Sequence, residues 1–186
     1  MTPPNLDTLF AQMPVSEGAL PPVHSWDPPF CGDIDMRIAR DGTWFYQGSP
    51  ITRPAMVRLF SSVLRRDDDR YVLVTPVEKV GIQVEDAPFV AVDMDVVTDE
   101  QGQTILRFTT NVGNVVEADR DHAIRVDINA DTLEPSPYLH VRSGLDALIH
   151  RNVFYRLVEQ AETASRDGGL WLGVRSRGIF FPIGRA

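Results

Sequence analysis

A single lysine, Lys79, stands among the eighteen basic residues of this 186-residue chain. It closes a short polar turn, Pro76-Val77-Glu78-Lys79, between two apolar runs. Arginines, a lysine and an aromatic platform hold phosphates and carboxylates without any glycine-rich loop, and such groups recur at two places. Arg37, Trp44, Tyr46, Thr75 and Lys79 form a first set. Arg142, Arg151, Asn152, Arg175, Ser176 and Arg177 form a second. Trp44 and Tyr46, two residues apart on a strand, share a face. That face is either a wet aromatic patch or packed beneath the proline-rich segment before it. The familiar phosphate cradles, GxxxxGK[ST] and GxGxxG after a strand, do not occur.

Other reactive types are sparse. Cys31, the only cysteine, rules out an internal disulfide. A nucleophilic thiol needs a base or a positive field beside it, and His24, His122, His140 and His150 sit in no partner motif, so Cys31 reads as inert before it reads as redox-sensitive or catalytic. Glu78 on its turn suits acid–base chemistry only if burial shifts its pKa. His140 and His150 are too far apart to share a helical turn and there is no cysteine pair, so no metal site is expected.

Charge narrows the partners. The formal net charge is −8. Twelve carboxylates and three arginines lie between Glu85 and Glu134, a balance of −9, so the rest of the chain comes to about +1. The basic face that nucleic acids and anionic membranes require is absent. No apolar run approaches the roughly 18 residues of a spanning helix, and the first residues lack a basic leader with an apolar core. With one cysteine the chain suits a reducing compartment, and a cytoplasmic location is expected.

The elements that must position these groups follow from periodicity. Asn5 caps a short helix on which Leu6, Leu9, Phe10 and Met13 share a side. Prolines 14, 21, 22, 28 and 29 then impose an extended arm around Trp26. Ile34, Met36 and Ile38 alternate with Asp33, Asp35 and Arg37 on a strand, and Asp41-Gly42 signals a two-residue hairpin into Thr43–Gln47. Thr52 and Pro54 open a helix whose apolar side runs from Met56 to Leu64. Residues 67–70 read as a solvated loop, followed by strands 71–75 and 79–85. Three strands at 89–97, 103–110 and 115–118 make an acidic meander with one wet face. Strands 122–129 and 138–141 come next. Ser143-Gly144-Leu145-Asp146 resembles a capping box, which predicts a helix to about Ala164, and strands 170–174 and 179–183 end the chain.

The order β-β-α-β-β occurs twice. IDMRIARDGTWFY corresponds to IRVDINADTLEPSPYLHV, GSPITRPAMVRLFSSVL to RSGLDALIHRNVFYRLVEQ, and YVLVTPVEKVGIQV to LWLGVRSRGIFFPIG. The expected fold is α+β: two related β-β-α-β-β units with antiparallel sheets, joined by the acidic meander. The boundaries are an arm at 1–30, a first repeat at 31–88, the meander at 89–119 and a second repeat at 120–186.

Three segments, CGDIDMRIARDGTWFYQGSPI, VRLFSSVLRRDDDRYVLVTPVEK and IQVEDAPFVA, resemble a bacterial family known only as domain of unknown function 1285, over about Trp26 to Gly184. The resemblance implies a two-part α+β fold with a repeated motif. It also implies a C-terminal half superficially similar to pleckstrin-homology domains, and a site between the halves for something nucleotide-like. It carries no catalytic set.

The leading expectation is therefore a cytoplasmic ligand-binding or signalling module. It holds an anionic small molecule, nucleotides included, between its two repeats, where concave sites are favoured. A protein-interaction adaptor using the acidic sheet edge (Asp93, Asp95) and the proline-rich arm is the second. An enzyme using Cys31 or Glu78 is the third. No cofactor is identified.

Overall fold

Alternation on the first long strand sets the frame of the N-terminal part. Ile34, Met36 and Ile38 are buried, whereas Asp33 and Asp35 are exposed. In the computed structural model, which describes residues 6–13 and 18–186, the chain divides into a first unit ending at Asp86 and a second beginning at Ala87. Asn5 and Pro14, to which the sequence reading gave roles, lie outside the described residues.

The first unit runs α1 (Leu6–Gln12), a 3-10 turn (Val23–Ser25), β1 (Phe30–Ile38), β2 (Trp44–Tyr46), β3 (Ser49–Pro50), α2 (Pro54–Ser62), β4 (Leu64–Asp67), β5 (Arg70–Val74) and β6 (Lys79–Val84). The strands form one sheet in the order β3-β2-β1-β6-β5-β4. Every neighbouring pair is antiparallel except β1 and β6, which run parallel. Helix α2 buries Phe60, whose ring stacks on Trp44 with centroids 6.1 Å apart.

Three local expectations are corrected here. The β1–β2 turn is a three-residue loop, Arg40-Asp41-Gly42: Ala39 N donates to Thr43 O, Gly42 N donates to Ala39 O, and Gly42 sits at φ 89°. This geometry places glycine where a left-handed residue is required. Helix α2 is capped at Arg53, with no side-chain cap, and not at Thr52. The helix also stops at Ser62, because Leu64–Asp67 pairs with β5 in register Leu64↔Leu73 and Asp67↔Arg70. What reads as a loop at 67–70 is the tight turn of that hairpin, with Asp68 at φ 52°.

The second unit contains β7 (Phe89–Thr98), β8 (Thr104–Thr110), β9 (Val115–Glu117), β10 (Ile124–Ile128), β11 (Pro135–Arg142), β12 (Leu145–Ile149), α3 (Arg151–Glu159), β13 (Glu162–Arg166), β14 (Gly169–Ser176) and β15 (Ile179–Arg185). One sheet has the order β10-β11-β12-β7-β8-β9, and a second has the order β13-β14-β15. The meander β7–β9 is part of the larger sheet, joined through a parallel β12–β7 pair. The purely antiparallel sheets of the sequence reading thus give way to six-stranded sheets with one parallel pair each.

The long helix expected from Ser143 to about Ala164 is instead strand, short helix and strand. Ser143 and Gly144 turn the chain at φ 46° and 77°. Leu145, Ala147 and Ile149 then alternate inward with period two. Helix α3 begins only after His150, whose ring nitrogen caps the Asn152 amide. It buries Val153 and Leu157, and Arg156 clasps it to β7 by donating to Asp93 Oδ1 at 2.6 Å and to Met94 O. The described residues are mostly β-sheet with few helices, an architecture consistent with an α+β or a mainly β fold. No helix among the described residues is long and apolar enough to cross a membrane.

Candidate functional site

Strand register gathers the first unit's polar side chains on one face. Asp67 lies opposite Arg70, Lys79 opposite both Val74 and Phe30, and Gly81 opposite both Val72 and Asp33. Directly paired residues project to the same side of a sheet. Over this face lies an open hollow of about 560 Å³, lined by Phe30, Asp67, Asp68, Asp69, Arg70, Val72 and Lys79. A second, of about 510 Å³, shares Asp69 and Arg70 and extends past Asp33, Gln83 and Glu85. Volumes in this range suit a small molecule.

Arg70 forms the ridge between the two hollows. Its guanidinium donates to Asp33 Oδ1 at 2.9 Å and lies over the Phe30 ring, 5.0 Å from the centroid. Gly81 makes this possible, since a Cβ built there runs into the Asp33 carboxylate. Phe30 itself is 45% exposed, an aromatic face offered to solvent with a cation beside it.

Asp67 is the electrostatic centre of the floor. Arg65 grips it in a fork, Nε to Oδ1 at 2.6 Å and Nη2 to Oδ2 at 2.9 Å, and Lys79 Nζ donates to Oδ2 at 3.0 Å. These contacts, led by the Arg65 hydrogen bond, pull the Asp67 pKa from 3.8 down to about 2 against the opposing effect of burial. Arg65 is buried and also donates from Nη1 to Val23 O at 2.7 Å and Trp26 O at 2.8 Å. One side chain therefore fastens the proline-rich arm to β4 and holds the carboxylate that holds Lys79.

The first set of sequence candidates is dispersed by this geometry. Lys79 lines the first hollow, whereas Arg37 lines neither and is ion-paired with Glu85 of the second, its guanidinium lying over Phe45. Trp44 is 1% exposed, so the wet patch does not include it. The indole packs on Phe60, and its Nε1 has no hydrogen-bond partner among the described residues. Tyr46 is half-buried and accepts from Gln47 Nε2 at 3.3 Å. Thr75 is fully buried; its Oγ1 accepts from the Glu78 amide at 3.2 Å and donates to Gln12 Oε1 at 3.1 Å, which fixes the β5–β6 turn.

Members of the second set each answer to different partners. Arg142 lies over Phe89 at 5.0 Å and donates to Asn114 Oδ1 at 3.2 Å, and burial lowers its pKa. Arg151 donates to the Tyr155 hydroxyl at 2.6 Å, and Asn152 gives its amide to the His150 cap. Arg175 pairs with Glu162 and lies over Phe180. Ser176 is fully buried; its hydroxyl donates to Ala118 O at 2.6 Å and accepts from Leu106 N at 2.9 Å, so it locks β14 to the larger sheet. Arg177 pairs with Glu117, which Arg107 also holds, and both arginines lower the Glu117 pKa.

The remaining reactive groups are placed as follows. Cys31 is half-buried, with Sγ 3.5 Å from Pro29 O. Glu78 is half-buried, and its Oε1 has no hydrogen-bond partner among the described residues. His122 and His140 bond to Asp119 and Asp146, each at 2.9 Å. Among the described residues no three histidine, cysteine or acidic side chains are grouped to hold a metal ion. Phe30, Asp33, Arg65, Asp67 and Arg70 were missed by the sequence reading. The one readable signal was Arg65-Arg66-Asp67, an i,i+2 pair of opposite charge that shares a face only if the segment is a strand.

Comparison with other proteins gives two family matches that tile the chain. Residues 21–87 match the N-terminal domain of the DUF1285 proteins of unknown function, and residues 88–183 match the C-terminal domain. A DUF1285 family protein of Silicibacter pomeroyi DSS-3 has a similar crystal structure: 55% identity, 96% of this chain and 95% of that one covered, and a TM-score of 0.85. One from Shewanella baltica OS155 is 31% identical over 68% of this chain and 91% of that one, with a TM-score of 0.53. No match is found among curated proteins.

Proposed function

The chain belongs to the DUF1285 family, and from that premise we propose that it is a small-molecule-binding module whose ligand occupies the groove of the first unit. The observation that carries this reading is the juxtaposition of an exposed phenylalanine, Phe30, with Arg70 and Lys79 in an open hollow of ligand size. The ligand is anionic, nucleotides included: its anionic group meets Lys79 and Arg70, and a planar group stacks on Phe30. Asp68 and Asp69 on the rim call for hydrogen-bond donors on the same molecule, which the amino groups of a nucleobase supply. In a cytoplasmic signalling role the bound state is the message.

The repeat supports this arrangement as a scaffold. A hairpin, a helix and a three-stranded run follow one another in both units, β1-β2-α2-β4-β5-β6 (with the two-residue β3 before α2) and β11-β12-α3-β13-β14-β15. The second hairpin is β11-β12, where the sequence correspondence uses β10-β11. The first run shares one sheet with its hairpin, whereas β13-β14-β15 form a sheet apart from β11-β12. We read these as copies of one ancestral unit, each with one strand more after its helix than periodicity suggests. The adaptor reading has less support, because Asp93 is engaged by Arg156 and the arm is fastened by Arg65.

A thermal-shift panel of nucleotides, nucleotide second messengers and non-nucleotide phosphates tests the proposal, since an occupied site stabilises the fold. A raised Tm that is lost in Phe30→Ala and Arg70→Ala is expected. An unchanged Tm across the panel at saturating concentrations overturns it.

A further inference from the structure

Strand β13 is an edge of its three-stranded sheet among the described residues. It borders β14 on one side only. Four of its five residues, Glu162, Thr163, Ser165 and Arg166, are exposed in the context of the whole chain. The other edges are blunted in ways proteins commonly use. β3 is two residues long and ends in proline, β4 runs beside the Val23–Ser25 turn, β9 has three residues, and β10 and β15 lie against each other. β13 has no proline, no lysine and no bulge in its pairing with β14. A regular strand of this kind presents alternate backbone N–H and C=O groups outward.

The sequence of that edge, Glu162-Thr163-Ala164-Ser165-Arg166, is complementary to its own reverse. We propose that β13 pairs antiparallel with β13 of a second copy about a two-fold axis at Ala164, joining two three-stranded sheets into one of six strands. In this register Glu162 faces Arg166 of the second copy, Thr163 faces Ser165, and the small Ala164 faces itself. Both ends of the strand bring opposite charges together, and the two hydroxyl residues face each other, which are favourable cross-strand pairs. An isologous contact of this form closes as a dimer and does not propagate.

The charges are already positioned in the single chain. Glu162 is held by Arg175, and Arg166 lies beside Asp167. Arg166 of the second copy completes an Arg–Glu–Arg cluster at each end of the pairing. Five residues bury a small area, so the dimer is weak and salt-sensitive.

Sedimentation velocity of the full chain over a dilution series at low ionic strength tests this. A monomer–dimer equilibrium is expected. Arg166→Glu sets like charges opposite each other at both ends and should weaken association roughly tenfold. Glu162→Arg does the same, and the double swap should restore dimerisation. For register, Ala164→Cys in a Cys31→Ser background should give a disulfide-linked dimer on mild oxidation, and Thr163→Cys should give far less. A monomer at every concentration overturns the proposal, as does a dimer unaffected by either reversal or equal cross-linking at 163 and 164.

Discussion

Replacing Asp67 by asparagine is the most informative single change in the first unit. The substitution keeps the shape and removes the charge that Arg65 and Lys79 share. A shift of the Asp67 pKa from 3.8 to about 2 corresponds to roughly 2 kcal/mol of native-state stability at neutral pH. The carboxylate side chain is 30% exposed, and water screening reduces the electrostatic part to about 1–2 kcal/mol. Against that, Arg65 is left buried with its fork unmatched, which adds a desolvation cost of about 1 kcal/mol or more. Asp67→Asn should therefore cost about 2–3 kcal/mol in urea unfolding, read as a lower midpoint at unchanged slope.

The pH dependence has a fixed sign. Because folding depresses this pKa, the unfolded chain binds the proton first as pH falls. The contribution is thus whole above about pH 4 and is lost as pH drops through about 2. The wild-type advantage over Asp67→Asn should shrink across that interval. A variant as stable as wild type at neutral pH, or a deficit that is the same at pH 7 and pH 2, would refute the assignment of Asp67 as the charge centre.

Other substitutions separate structural groups from groove groups. Trp44→Ala should cost about 3–5 kcal/mol through the cavity left against Phe60, whereas Trp44→Phe should cost much less, because the indole N–H it deletes makes no hydrogen bond to the described residues; thermal melts distinguish them. Ser176→Ala should cost about 1–3 kcal/mol by stranding Leu106 N and Ala118 O, with faster amide exchange at Leu106. Gly81→Ala displaces only the exposed end of Asp33, so stability should stay within about 1 kcal/mol of wild type, while ligand-induced stabilisation falls because Arg70 loses its anchor.

Much of the fold was legible because its strands alternate cleanly. Ile34/Met36/Ile38 announced β1, and the meander from Phe89 to Ala118 was readable for the same reason. Short elements were not. Val153 and Leu157, one helical turn apart, lent a helical look to a segment in which Leu145, Ala147 and Ile149 alternate, and the two periods overlap within fifteen residues. At β4 the apolar run of α2 continues through Val63 and Leu64, so only pairing with β5 reveals where the helix stops.

Of the groove residues on which the proposed site rests, the sequence singled out only Lys79. Lys79 stood out by rarity. Trp44, Thr75 and Ser176 were chosen by residue type, and type does not show which face of a strand is covered. Phe30 and Arg70 are forty residues apart in sequence and meet only through the parallel β1–β6 pair, a long-range relation that periodicity cannot supply.

The ligand-binding claim meets its most direct test in amine modification at Lys79, quantified by mass spectrometry of its peptide with and without nucleotides and other small phosphates. As the chain's only lysine, it gives one unambiguous signal beside the N-terminal amine. The account predicts that the ligand which raises Tm also slows labelling at Lys79, with no slowing in Phe30→Ala. A ligand that raises Tm and leaves Lys79 labelling unchanged would place the site elsewhere and contradict it.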